Sequence, residues 1–279
     1  MIIAFQGEHG AYSEAATVAH FGESVQPLPC QSFETVFDAV TDGTADRGLI
    51  PVENSLAGSI HRNYDLLLRY DLAIVGEVQI RIAHHLIALP GVKLANVRHV
   101  YSHPQALAQC ERSLDELLPQ AERVPTYDTA GSVKMLREEG NRDGAAIASR
   151  RAADYYQMSV LCDDLEDDPE NYTRFLILSQ EPVVPEGAAK TSIVFSMDNV
   201  PGALFKSLAV FALRDIDLTK IESRPLRGTH SSPSGKPWQY FFYIDFAGSV
   251  HETACRNALN HLQEITSFFR VLGSYPRGV

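Results

Sequence analysis

Cysteine is scarce in this chain of 279 residues: Cys30, Cys110, Cys162 and Cys255 are scattered, and no two form a Cys-x-x-Cys pair. That argues against a disulfide framework and a thiolate metal site, and it predicts reduced, structural thiols in a cytoplasmic protein. Basic charge is scarce too, with 24 Lys and Arg against 35 Asp and Glu for a net −11 with histidine neutral. Nucleic acid needs a basic footprint, so it is excluded as a partner. No apolar run approaches the ~20 residues of a membrane span, so no membrane partner is expected. Neither Gly-x-Gly-x-x-Gly nor Gly-x-x-x-x-Gly-Lys occurs, which leaves nucleotide phosphates without a cradle. His84-His85 sits in an apolar stretch with no further ligand at metal spacing, and reads as a structural pair. The opening Met1-Ile2-Ile3-Ala4-Phe5 has no basic leader and reads as a strand rather than an export signal.

What is present is apolar content of 45% and length enough for two domains. Through about residue 180 one unit recurs: apolar strand, small-residue loop, amphipathic helix. Ile2 to Phe5, Gly48 to Val52, Leu72 to Val75, Leu86 to Leu89, His99 to Tyr101 and Ala145 to Ala148 read as strands. Ser32 and Ser149 read as N-caps of helices. Pro104 opens a helix carrying Leu107, Cys110, Leu114, Leu117 and Leu118 on one side. The alternation predicts an α/β fold with parallel sheets, whose strand ends line a ligand crevice. Residues 181–189 form a linker by composition. Beyond it, residues 190–279 read in the order β-α-β-β-α-β, a ferredoxin-like α+β unit. Pro201 marks the start of its first helix, and a polar loop, Gly228 to Pro237, is expected to be mobile.

Asn171-Tyr172-Thr173-Arg174-Phe175 places a hydroxyl, a guanidinium and two rings where a loop enters the apolar run Leu176-Ile177-Leu178. Arginine offers a fork of donors that suits a carboxylate, and threonine a movable hydroxyl proton. An ordinary edge strand is the alternative. The preceding acidic run, Asp163 to Glu170, reads as a solvated face. Three further loops, Gly10 to Ser13, Asn54 to Ser59 and Thr129 to Ser132, put small or hydroxyl residues at expected helix starts. Such ends hold carboxylates with unpaired N–H groups and no net charge, which suits an acidic protein that binds an anion. Taken singly, each reads more readily as a plain N-cap.

Together these segments resemble the prephenate dehydratases and their plant relatives, the arogenate dehydratases. The resemblance is carried by Phe5-Gln6-Gly7, Gly10-Ala11-Tyr12-Ser13, Pro51-Val52-Glu53-Asn54-Ser55, Gly58-Ser59-Ile60, Ser102-His103-Pro104-Gln105-Ala106-Leu107, Tyr127 to Ser132 and Thr173-Arg174-Phe175. Gly202-Ala203-Leu204-Phe205 and Glu222-Ser223-Arg224-Pro225 are similar to the effector motifs of the family's ACT regulatory module. The resemblance implies a catalytic domain at 1–180 like type II periplasmic binding proteins. One lobe would hold about 1–76 and 161–180, the other about 77–160, with the ACT domain at 190–279. It implies a cofactor-free lyase that takes prephenate to phenylpyruvate with loss of water and carbon dioxide. Arogenate is the alternative substrate, and a non-catalytic carboxylate sensor is the alternative class. Thr173 would assist the leaving hydroxyl, with Glu53 and His103 as other acids. Arg174, Asn54, Ser55, Ser59, Thr129 and Ala130 would hold carboxylates, and Phe175 would pack beneath the ring. L-Phenylalanine would act as effector near Asn199, Gly202, Ala203, Leu204, Glu222, Ser223 and Arg224, in a homodimer or tetramer joined through ACT domains.

Overall fold

The structure, a computed structural model, describes residues 1–225 and 240–278. The loop expected at Gly228 to Pro237 therefore lies outside the described residues. The chain divides into two compact units, Met1–Asn63 with Val78–Phe175, and Tyr64–Glu77 with Leu176–Val279. No helix among the described residues is long and apolar enough to cross a membrane.

The first unit is built on two sheets. One comprises β1 (Ile2–Gln6), β2 (Gln26–Cys30), β3 (Arg47–Asn54), β4 (Gly58–Ser59), β5 (Ala73–Arg81) and β11 (Tyr172–Ser179). The other comprises β6 (His85–Ala88), β7 (His99–Ser102), β8 (Glu122–Pro125), β9 (Gly144–Ala148) and β10 (Ser159–Cys162). Their helices are α1 (Tyr12–Phe21), α2 (Phe33–Thr41), α3 (His61–Arg69), α4 (Pro104–Gln109), α5 (Glu111–Leu117), α6 (Thr129–Glu139) and α7 (Arg150–Tyr155). The strand orders are β2-β1-β3-β11-β5, with β4 on β3, and β10-β6-β9-β7-β8. The boundary between the units falls inside α3, β5 and β11.

The apolar pattern explains most of this. Val36, Phe37 and Val40 of α2 are fully buried, and Ser32 Oγ accepts from Thr35 N as the expected cap. Ser149 caps α7 in the same way. The expectation of parallel sheets needs correction. β1 pairs in parallel with β2 and β3, and β7 with β8 and β9, but β6 is antiparallel to both β9 and β10. The second sheet is therefore mixed, with its parallel pairs confined to β7, β8 and β9. The helix expected from Pro104 to Leu118 is two helices, because Cys110 leaves helical geometry at φ −117° and ψ 16°. The acidic run is not simply solvated either. Glu166 is buried and accepts from His84 N at 2.7 Å and from Arg81 at 2.6 Å. Arg112 and Ser113 donate to Asp167, which holds its carboxyl below the ordinary range despite partial burial.

The second unit carries β12 (Ala189–Ser196), α8 (Ala203–Ala212), β13 (Leu218–Pro225), β14 (Tyr240–Ala247), α9 (Thr253–Ile265) and β15 (Phe268–Pro276). They form an antiparallel sheet ordered β13-β14-β12-β15, the expected ferredoxin-like arrangement. Ile193, Phe195, Phe211, Ile244, Phe246 and Leu262 fill its core. Pro201 precedes the helix rather than opening it, since Gly202 at φ 80° occupies the N-cap. Residues 64–77 are fastened to this sheet. Tyr243 Oη donates to Tyr64 O at 2.9 Å, Arg224 pairs with Asp65 at 3.2 Å, and Arg270 with Asp71 at 3.1 Å. Lys190 and Glu77 form a buried pair at 2.6 Å.

Packing is closest at Gly273, where an added Cβ would lie 2.0 Å from the Ile74 carbonyl oxygen. Gly273→Ala is therefore expected to destabilise the protein by about 2–3 kcal/mol, read as a lower urea midpoint.

Candidate active site

A cavity of about 420 Å³ lies in the first unit, at the carboxyl ends of β1, β3, β7 and β8. A crevice beyond such strand ends is where open α/β sheets bind ligands, and the volume suits a small molecule. Gln6, Ala11, Tyr12 and Ser13 form one wall, and Ser32, Phe33, Pro51, Asn54, Ile60 and Arg62 another. Ile82, His84, His103, Gln105, Ala106, Gln109, Tyr127, Asp128 and Thr129 line it as well. Thr173 and Phe175 complete the lining.

Side chains alternate along a strand, which explains why β11 contributes Thr173 and Phe175 but not Arg174. Arg174 is buried and does not line the cavity, so the expected guanidinium clamp is not brought there. On β3 the cavity takes Pro51 and Asn54 but not Glu53. Asn54 to Ser59 is not a helix start but a tight hairpin, with Glu53 in register with Ser59 across β3 and β4. Ser55 pins β11 instead, donating from Oγ to Glu170 O at 2.8 Å and accepting from Tyr172 N at 2.9 Å. Ser59 and Ala130 do not line the cavity, and Ala130 is fully buried in the core. Thr129 and His103 do line it.

Asn54 controls the orientation of the site. Its Oδ1 accepts from Leu56 N at 3.1 Å and Ala57 N at 2.9 Å, so its NH₂ must face β11. That group donates to Asn171 Oδ1 at 2.7 Å, Tyr172 O at 3.1 Å and Thr173 Oγ1 at 3.0 Å. Asn171 Nδ2 then donates to Gln109 Oε1 at 3.1 Å. Gln109 Oε1 also meets His84 Nε2 at 2.9 Å, which assigns the ring proton to Nε2. His84 Nδ1 is left as an acceptor 2.7 Å from Tyr12 Oη, whose one proton it shares with Ala83 O at 2.9 Å. Burial holds His84 below the ordinary histidine range, and burial also raises the Tyr12 phenol. Both therefore stay neutral.

Two consequences matter for chemistry. Thr173 accepts from Asn54, so its own proton is free to donate into the cavity. Gln109 accepts twice at Oε1, so its NH₂ is free for a ligand. The cavity also receives two helix starts whose first turns carry no side-chain cap, α1 after Ala11 and α6 after Asp128. Such ends attract anions. At α4, His103 Nδ1 accepts from Gln105 N at 3.2 Å, which leaves Nε2–H as its outward donor. Arg62 lines the cavity but binds Glu34 through Nε and Nη2 at 2.8–3.0 Å. Sequence reasoning missed Gln109, which sits on an amphipathic helix with no local signal, and read His84 as structural only. No group of three or more His, Cys, Asp or Glu among the described residues could hold a metal ion.

The second unit has its own cavity of about 280 Å³, lined by Met197–Val200, Gly202–Phe205, Tyr240 and Phe242. It brings together Asn199, Gly202, Ala203 and Leu204 of the expected effector site. Glu222, Ser223 and Arg224 do not line it. They lie on β13, where Ser223 is in register with Phe242.

A family profile described as prephenate dehydratase matches residues 3–183. Arogenate dehydratase/prephenate dehydratase 2, a chloroplastic protein of Arabidopsis thaliana, is 51% identical over 98% of this chain and 72% of its own length. A solved structure described as GqqA, a novel type of quorum quenching acylase, is similar with a TM-score of 0.89 at 35% identity, covering 99% of this chain and 98% of that one. The prephenate dehydratase of Arthrobacter aurescens in complex with L-Phe gives 0.89 at 34%, covering 99% and 90%.

Burial of neutral His84 makes stability fall as acid protonates the unfolded chain. The loss begins near the ordinary histidine value of 6.5 and continues down to the lowered folded value. Urea midpoints at pH 7 and pH 5 should differ less in His84→Gln than in the parent. The other depressed histidine, His20, contributes equally to both proteins.

Proposed function

The chain belongs to the prephenate dehydratase family, and we propose that its first unit strips water and carbon dioxide from prephenate, giving phenylpyruvate, or from arogenate, giving phenylalanine. The bond from the ring to its carboxylate breaks, and that electron pair enters the ring. The C–O bond on the opposite ring carbon breaks in turn, and the hydroxyl leaves as water with one added proton. Aromatisation drives the step.

The observation that carries this reading is the Thr173 hydroxyl, held by Asn54 at 3.0 Å with its proton left free. Threonine is too weak an acid to ionise, so it acts by hydrogen bonding to the departing oxygen as charge develops there. Phe175 packs beneath the ring. The carboxylates rest on the starts of α1 and α6, on His103 Nε2–H and on the Gln109 amide. Asn54, Ser55 and Asn171 are positioning residues in this reading, and Arg174, Glu53, Ser59 and Ala130 support from outside the cavity.

The second unit is read as an ACT module that takes phenylalanine in the cavity at Asn199 to Leu204. Supporting this is the L-Phe complex of the Arthrobacter relative. Homo-oligomerisation is read from β13, an edge strand with Ile221 48% exposed, whose side-by-side pairing would carry Glu222, Ser223 and Arg224 to a joint between chains. A cytoplasmic setting fits the four free cysteines.

Thr173→Ala should lower kcat about 10²–10³-fold with KM little changed, measured with both substrates. Near-normal kcat would assign assistance of the departing hydroxyl to His103 instead. Phenylalanine should inhibit the parent, and Leu204→Ala should raise the concentration for half-inhibition about tenfold. Unaltered inhibition would remove this cavity as the effector site.

A further inference from the structure

Prephenate and arogenate differ at one position, a keto oxygen in the first and an α-ammonium in the second. Both bring two carboxylates into a protein of net charge −11. Among the described residues lining the cavity, Asp128 is the lone carboxylate. A carboxylate in the binding site of a dianion is repulsive unless the ligand also carries a cation. Asp128 occupies the N-cap position of α6 yet makes no side-chain cap bond in its own helix, so capping does not account for it. Its Oδ2 accepts from Glu8 N at 3.1 Å, while Oδ1 has only the Thr129 hydroxyl at 3.5 Å. No Lys or Arg among the described residues forms an ion pair with it; nearby Lys134 pairs with Glu8 instead. Gly131 packs closely beside it, for a Cβ there would come within 3.3 Å of the Asp128 Cβ.

We propose that Asp128 is the specificity-determining residue of this cavity: its carboxylate pairs with the α-ammonium of the substrate and selects arogenate over prephenate. The inference rests on the reaction proposed above taking place in this cavity. A charge-assisted hydrogen bond to an ammonium favours arogenate, and the same carboxylate disfavours the keto acid beside it.

The test measures kcat/KM for both substrates on the full chain and on Asp128→Asn and Asp128→Ser. Asparagine keeps the acceptor for Glu8 N and removes only the charge. The ratio of the two constants is read on one preparation, so incomplete folding of a variant cancels. The arogenate-to-prephenate ratio should fall about 10- to 100-fold in both variants. A ratio that stays put, including equal losses on both substrates, overturns the role of Asp128 while the dehydratase reading stands. A parent protein that turns over neither substrate overturns the dehydratase reading, and this inference with it.

Discussion

Two backbone amides on one carboxamide oxygen set the polarity of the whole active site. Leu56 N and Ala57 N hold Asn54 Oδ1, and each later hydrogen in the chain to Tyr12 follows. The clamp exists because Asn54-Ser55-Leu56-Ala57-Gly58 folds as a hairpin turn, with Gly58 at φ +79° supplying the left-handed residue. A local turn thus decides which way the Thr173 hydroxyl can point, which tautomer His84 adopts and which end of Gln109 is left unbonded. Every group between Asn54 and Tyr12 is neutral, so the chain fixes orientation rather than conducting protons. Buried polar networks of this kind specify a unique arrangement when fully satisfied.

The cavity has little formal positive charge of its own. Arg62 is already matched by Glu34, and Arg174 does not reach the cavity. Uncapped helix ends supply partial positive charge that is fixed in direction and needs no counter-ion. Each contributes modestly, about 0.3–1 kcal/mol at an exposed end and up to about 2 when partly buried. Their convergence, rather than any one of them, makes anion binding favourable. In such a setting a single carboxylate such as Asp128 would weigh heavily in the charge balance of the cavity.

The sequence made the alternation of strands and helices legible, along with the βαββαβ unit and both serine caps. Besides the two-residue β4, the strands it hid, β2, β8 and β10, share one property: all three lie at sheet edges. An edge strand needs neither a continuous apolar run nor every backbone donor, so β2 tolerates Pro27 and Pro29. In the site, the motifs marked the correct loops but not the faces of their strands. Thr173 and Arg174 are adjacent in sequence and opposite in projection, and the period-two rule separates them only once the cavity side is known. Gln109 carried no signal because its role comes from Asn171 and His84, both distant in the chain. Asp128 was visible within its motif, but its failure to cap α6 needs coordinates.

Division of the chain into units has a practical meaning for dissecting it. A fragment ending near residue 183, where the family match stops, would keep residues 64–77 and the far half of β11 but lose the sheet on which they are folded. Ile74 would be stripped of Gly273, Glu77 of Lys190, and Tyr64 of Tyr243. An excised first unit would thus expose a raw apolar flank and a carboxylate stripped of its lysine, so the C-terminal region is part of the fold's foundation.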